Sequence, residues 1–289
     1  MIRAATLSLT LIAGLFLMQG CNETPTTALE ELEGVNDPIT FAGSEKKLDH
    51  LAACAPTAAN FPSPLVSTNP YFPITVGYQW TLEGEEEGLA VKALLTVLPL
   101  TRSIDGIRAA ILEEREWAQE EEGGPLLLNE ISWNYFSENE DGDVCYRGES
   151  VDDIVEDPVG TYTVVSNGGA WCAEDDPDVN QAGIFMPREE NLRPGTSFLQ
   201  EDAPLIAVDG AKIVSSGVID DEIFGGPYTE TVRLQEFSLV SGRKEKGDVK
   251  DFGEGVGILI DGPLVLTDFS MAAAAPPAPA ISMQTCGTP

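Results

Sequence analysis

The chain contains one histidine, His50, and this limits the chemistry its side chains can perform. Serine and cysteine nucleophiles usually need a histidine base held in place by a third group. Here such a site would have to recruit His50, which precedes the strand-rich part of the sequence. A lone histidine on a short helix is more often a surface or packing residue. Carboxylates are abundant, with 48 acidic against 16 basic side chains and a net charge of −32. Paired carboxylates can cleave glycosidic bonds, but among so many acids no pair stands out. Glu113, Glu114 and Glu116 adjoin Trp117 in a strand-like run. Alternation puts Glu114 and Glu116 on one side, and the plain expectation for them is a solvated strand face.

Two further spacings invite a chemical reading. Ser137-Glu138-Asn139-Glu140-Asp141-Gly142-Asp143 places acids at alternate positions, as a calcium loop does, but lacks the distal bidentate glutamate. Its Asp141-Gly142 pair reads as a hairpin turn, and Asp175-Asp176-Pro177-Asp178 is a weaker acidic cluster. Gly253, Gly255 and Gly257 lack the lysine, Ser/Thr and following helix of a phosphate loop, so they read as a bulge or a close backbone approach. No catalytic residue, metal ligand set or cofactor motif emerges, and none is expected. The charge excludes nucleic acid as a partner and opposes charge-driven binding to anionic lipid. It fits adaptation to salty surroundings, with divalent metal or a basic partner as the sharper alternative.

The elements that would position any site begin after a non-structural leader. Residues 1–20 carry Arg3, then an apolar run from Ala4 to Met18 with no acid, the layout of a secretory signal. The run is shorter than a transmembrane helix requires. It ends in Leu17-Met18-Gln19-Gly20-Cys21, which resembles a bacterial lipobox. The resemblance implies diacylglycerol on the Cys21 sulfur and cleavage before that residue. Met18 and Gln19 depart from the usual pattern. Asn22, where aspartate would imply inner-membrane retention, points to the outer membrane or cell surface. Several acyl chains would anchor the protein stably.

Residues 21–67 read as a disordered tether with a short helix over Ser44–Cys54, residues 68–270 as one antiparallel β domain, and residues 271–289 as an Ala/Pro-rich low-complexity tail. Strands are expected over Val76–Leu82, Val91–Leu98, Gly106–Trp117, Leu126–Phe136, Val144–Gly148, Gly160–Val165, Ile213–Ile219, Thr229–Val240 and Val256–Leu266. Ile131, Trp133 and Tyr135 alternate with Glu130, Ser132 and Asn134, a period of two. The fold class is therefore all-β, an antiparallel sandwich or a strongly curved half-barrel. With Cys21 lipidated, four cysteines remain for an oxidising compartment, and three pairings are open. Cys145 with Cys172 and Cys54 with Cys286 is the preferred one: the first joins neighbouring strands, the second staples the tether to the tail. Zinc is disfavoured because no two cysteines are close in sequence and only one histidine is available.

Three stretches together resemble an uncharacterised group of bacterial envelope proteins, often lipoproteins. They are Asn69-Pro70-Tyr71-Phe72-Pro73-Ile74-Thr75-Val76-Gly77-Tyr78-Gln79-Trp80, the run from Trp133 to Tyr146, and Phe252-Gly253-Glu254-Gly255-Val256-Gly257-Ile258-Leu259. That group has "YFPL…G..W", "WYAQDxxGNVWYFGE" and "APGVGLV" in this order. Gly183-Ile184-Phe185-Met186-Pro187 and Arg193-Pro194-Gly195 are similar to its "PGIIMP…VGD" stretch. Cys145 and Cys172 depart from the pattern. The resemblance implies an antiparallel β fold and an envelope location, and no activity. The expected role is a lipid-anchored, non-enzymatic binding or structural module, with a small apolar ligand in a concave β face or a protein partner. The alternative is an acidic polysaccharide hydrolase.

Overall fold

The computed structural model describes residues 46–57, 60–62, 67–156, 160–166, 168–174, 180–204, 206–219, 223–271 and 286. Cys21, the signal-like segment, the Asp175–Asp178 cluster and most of the tail lie outside them.

Sixteen strands form one sheet. They are β1 (Lys46–Lys47), β2 (Gln79–Glu86), β3 (Leu89–Ile104), β4 (Ile107–Gln119), β5 (Leu126–Glu138), β6 (Val144–Glu156), β7 (Tyr162–Ser166), β8 (Trp171–Cys172), β9 (Gln181–Met186), β10 (Thr196–Leu199), β11 (Glu201–Asp202), β12 (Asp209–Ile219), β13 (Tyr228–Ser238), β14 (Glu245–Gly253), β15 (Gly257–Asp261) and β16 (Leu264–Ser270). Among the described residues the α-helix α1 (His50–Cys54) is capped by the Asp49 carboxylate, which accepts from the amides of Leu51 and Ala52. The expectation of an all-β fold holds. The ladder runs β1-β10-β12-β13-β14-β15-β16-β2-β3-β4-β5-β6-β9-β11, with β7 and β8 also pairing β6. All these pairs are antiparallel except β1 with β10. Short turns set the long hairpins: Glu87 and Gly88 have φ of 50° and 83°, and Asp105 and Gly106 of 51° and 75°, the two positive values a tight hairpin needs.

The sheet curls over on itself without closing into a barrel. Phe185 of β9 and Phe252 of β14 stand eight ladder steps apart, about 38 Å in a flat sheet at ~4.8 Å per strand. Their ring centroids are 6.3 Å apart. Phe72 stands between them, 4.4 Å from Phe185 and 6.2 Å from Phe252, with Phe136 of β5 also at 5.1 Å. Burying an aromatic ring here contributes about 1.5–3 kcal/mol. Asn69 aims Phe72 inward: its Oδ1 accepts from the amides of Tyr71 and Phe72, and its Nδ2 donates to Gly142 and Pro187 carbonyls. The two ends of the ladder meet in one kinked segment, since β10 and β11 are separated only by Gln200. β10 pairs β12, β11 pairs β9, and the Gln200 amide donates to the Asp209 carbonyl at 2.8 Å.

Residues 46–54 differ from the expected tether. Lys46–Lys47 joins the sheet beside β10, and Cys54 is fully buried. The helix is confined to five residues of the expected Ser44–Cys54 span. The preferred cysteine pairing is corrected too. Cys54 bonds Cys145 and Cys172 bonds Cys286, with Cα separations of 5.6 and 5.5 Å. Register explains why Cys145 and Cys172 do not join. Cys172 lies opposite Gly148, three residues along β6 from Cys145. That offset is about 10 Å, beyond the ~7 Å Cα limit of a disulfide. Gly148 has φ of 143° and leaves room for the second bridge, because a Cβ there would stand 2.5 Å from the Trp171 carbonyl oxygen and 3.1 Å from Cys286 Sγ. Arg147, wholly buried near both bridges, donates to Ser137 Oγ at 2.6 Å and the Cys54 carbonyl at 3.1 Å, and lies over the Phe61 ring. Burial lowers its pKa to about 10, with Asp105 opposing the shift.

Candidate functional site

One part of the curled interior is polar. Strand register sets Leu95, Glu114, Ser132 and Val151 side by side across β3–β6, with Glu149 opposite Asn134 in the adjoining row. From the other arm, β12–β15 bring Asp209, Glu236, Lys250 and Asp261. Lys250 Nζ lies 3.3 Å from both Glu236 Oε1 and Asp261 Oδ1. Trp171 Nε1 donates to Glu201 Oε1 at 3.1 Å, and the Tyr146 hydroxyl is 2.6 Å from Asn134 Oδ1 and 3.1 Å from Glu149 Oε2. Buried oxygens of Glu114, Glu149, Glu201 and Asp209 find no donor.

A carboxylate without a donor or counter-charge keeps its proton. Burial pushes Glu149 and Glu236 up to about 8, with Asp209 adding to each by repulsion. Burial also raises Glu114, where Asp261 and Glu130 add repulsion, and Glu201, where Glu149 and Asp209 do. Burial likewise raises Asp209, with Glu201 and Ser238 opposing the shift. Burial disfavours the Lys250 ammonium, but Asp261, Glu236 and Glu114 outweigh it and hold its pKa above the ordinary value. The cluster is thus a buried carboxyl network, its acids shifted towards the protonated form, around one ammonium paired with Glu236 and Asp261. It can store protons. Its acids are buried, and a cleft beside Glu116 and Trp117 holds about 10 Å³. That is at most the room for one water.

The expected site residues fall as follows. Glu114 and Glu116 share a face, but both are buried, as is Glu113 on the other face, which corrects the solvated reading. Glu113, on the opposite face, accepts from Arg115 Nε at 2.8 Å and Trp133 Nε1 at 3.1 Å. His50 Nε2, on the first residue of α1, is 3.0 Å from Asp202 Oδ2. Of the Ser137–Asp143 run, Ser137 and Glu138 end β5 and residues 139–143 form the turn to β6, with Gly142 at φ 93°. Its acids are engaged: Glu138 accepts from the Thr68 amide and Ser67 hydroxyl, and Asp141 pairs Arg188 at 2.6 Å. Among the described residues no group of three or more His, Cys, Asp and Glu side chains is arranged to hold a metal. An open groove of about 480 Å³ beside this turn is lined by Asp141, Arg188, Glu189, Glu190, Leu192 and Arg193. Gly257 is a close approach, as expected, since a Cβ there would stand 3.3 Å from Pro73 and the Trp80 ring.

Sequence reading missed Glu149, Glu201, Asp209, Glu236, Lys250 and Asp261. A signal existed for one of the acids: Glu236 follows Leu234 at the two-residue spacing of one strand face. No family model, curated protein or solved structure matches the chain.

Proposed function

We propose that this protein is a lipid-anchored component of the bacterial cell envelope, a non-enzymatic module that works through its outer surface. The single observation that carries the non-enzymatic reading is the filled interior. Phe72, Phe136, Phe185 and Phe252 occupy the concave face where an apolar ligand would lie. The paired-carboxylate alternative is disfavoured on the same ground, because its acids are sealed inside. The anchor is supported by the lipobox resemblance at Leu17–Cys21 and by the envelope-group motifs described above. Asn22 favours the outer membrane or cell surface over the inner membrane. Two disulfides fit an oxidising compartment. The strongly negative chain would be carried on its acyl groups and not by attraction to anionic headgroups. Cys21→Ser tests the anchor in fractionated cells. The wild type should sediment with membranes and the variant should become soluble; a variant retained on membranes like the wild type would sink the proposal.

A further inference from the structure

The sheet buries a lysine nitrogen against the carboxyl it faces. Lys250 on β14 lies directly opposite Asp261 on β15, which puts their Cβ atoms about 5 Å apart. Glu236 reaches the same nitrogen from β13, the strand on the other side of β14. Lys250 Nζ is 3.3 Å from both Glu236 Oε1 and Asp261 Oδ1. The Lys250 side chain is 2% exposed and that of Asp261 8%. Two ions held this far from water can cost more in lost hydration than their attraction returns. Condensation to a neutral amide would remove both charges. The carbon that an amine would attack, Asp261 Cγ, is one bond beyond the oxygen already in contact. In dilute solution water drives such a condensation backwards. A site that holds the two groups together and excludes water reverses this through effective concentration.

We propose that Lys250 and Asp261 join in an intramolecular amide, Nζ to Cγ, which ties β14 to β15 with release of one water, and that Glu236 carries protons for this step. The ion pair of ammonium and carboxylate is the state before reaction. Nζ first passes one proton to Asp261, giving a free amine and a carboxylic acid. The nitrogen lone pair then forms the bond to Cγ. Glu236 gives a proton to the departing hydroxyl and takes the nitrogen's second proton in exchange. The hydroxyl leaves as water when the C–O bond breaks. The amide nitrogen keeps the third hydrogen, Glu236 ends as it began, and no oxidant, reductant or activated donor is consumed. Burial pushes the Glu236 carboxyl up to about 8, so it holds a proton to give near neutral pH. The cross-link depends on the interior and not on the lipid anchor, so either idea can fail without the other.

The test uses the full chain purified from cells, then unfolded, reduced and cut with an endoprotease specific for glutamate. Cleavage after Glu254 separates Lys250 from Asp261 in the backbone. Mass spectrometry should find residues 246–254 still joined to the fragment that starts at Gly255, with a mass one water below the sum of the two. Fragmentation should place the branch at Lys250 and Asp261. Lys250→Met should leave the two fragments separate and at full mass. Glu236→Gln should slow formation of the link by roughly tenfold or more, followed from synthesis in protein that retains both disulfides. Two separate fragments of full mass from the wild type would overturn the proposal, whether or not either variant folds. An unlinked Gly255 fragment lighter by one water would overturn it too, because it assigns the loss to ring closure at Asp261-Gly262. A link that forms as fast in Glu236→Gln as in the wild type would overturn the part given to Glu236.

Discussion

Glu149 shows at the scale of one residue how this interior responds to pH. Its side chain is buried between Tyr146 and the facing acids, and its pKa rises from 4.5 to about 8, chiefly through burial. The folded state therefore binds a proton that the unfolded state has released. The stability this group contributes is fully present below about pH 4.5 and is lost as pH rises through about 8. Glu114 and Glu201 shift in the same direction. The urea midpoint of unfolding is expected to fall between pH 5 and pH 8.5, and Glu149→Gln, neutral at every pH, should make that fall shallower. A midpoint that rose across this range would contradict the assignment of protonated carboxyls. Little of this was legible in the sequence. Alternation correctly paired Glu114 with Glu116, but it cannot say that both faces are covered here. That depends on an arm of the sheet more than a hundred residues later in the chain.

Among the elements, the segment carrying β10 and β11 does most to shape the sheet. It changes partners at Gln200, and the change demands an uncommonly close backbone contact. A Cβ on Gly183 would stand 2.0 Å from the Gln200 carbonyl oxygen, a backbone atom with nowhere to go. Gly183→Ala should cost about 1–3 kcal/mol or more through overpacking. Urea unfolding measures this, and an unchanged midpoint would contradict the contact. The strands from β2 to β6 were each located in the sequence, but Val91–Leu98 and Val144–Gly148 fell well short of the observed β3 and β6. β14 was not located, since Glu245-Lys246-Gly247-Asp248 opens it with charges and its first half is exposed. β15 and β16 hid inside one apolar run, Val256–Leu266, which folds back at Gly262-Pro263. The segment Asn69–Ile74, ahead of the expected strand Val76–Leu82, is a non-strand plug that carries Phe72 into the core.

The molecule as a whole is a curled sheet packed solid and stapled at its margins. Each disulfide spans a long stretch of chain, 91 and 114 residues, and by chain-entropy reasoning each stabilises the fold by about 4–5 kcal/mol. The bridge at Cys54 holds the N-terminal margin and that at Cys286 holds the C-terminal one, so a net charge of −32 is restrained from pulling the ends outward. The sequence disclosed four paired cysteines but not their partners, because pairing is set by register and not by spacing. The concave face suggested by the strand pattern is real, and its own side chains fill it. The measurement that bears most directly on this claim is the mass of the protein purified gently from cells, taken under native and then denaturing conditions. The two masses should agree, with the protein carrying no stoichiometric non-covalent ligand. A native mass higher by one small molecule, lost on denaturation, would contradict the filled interior and restore the carrier reading.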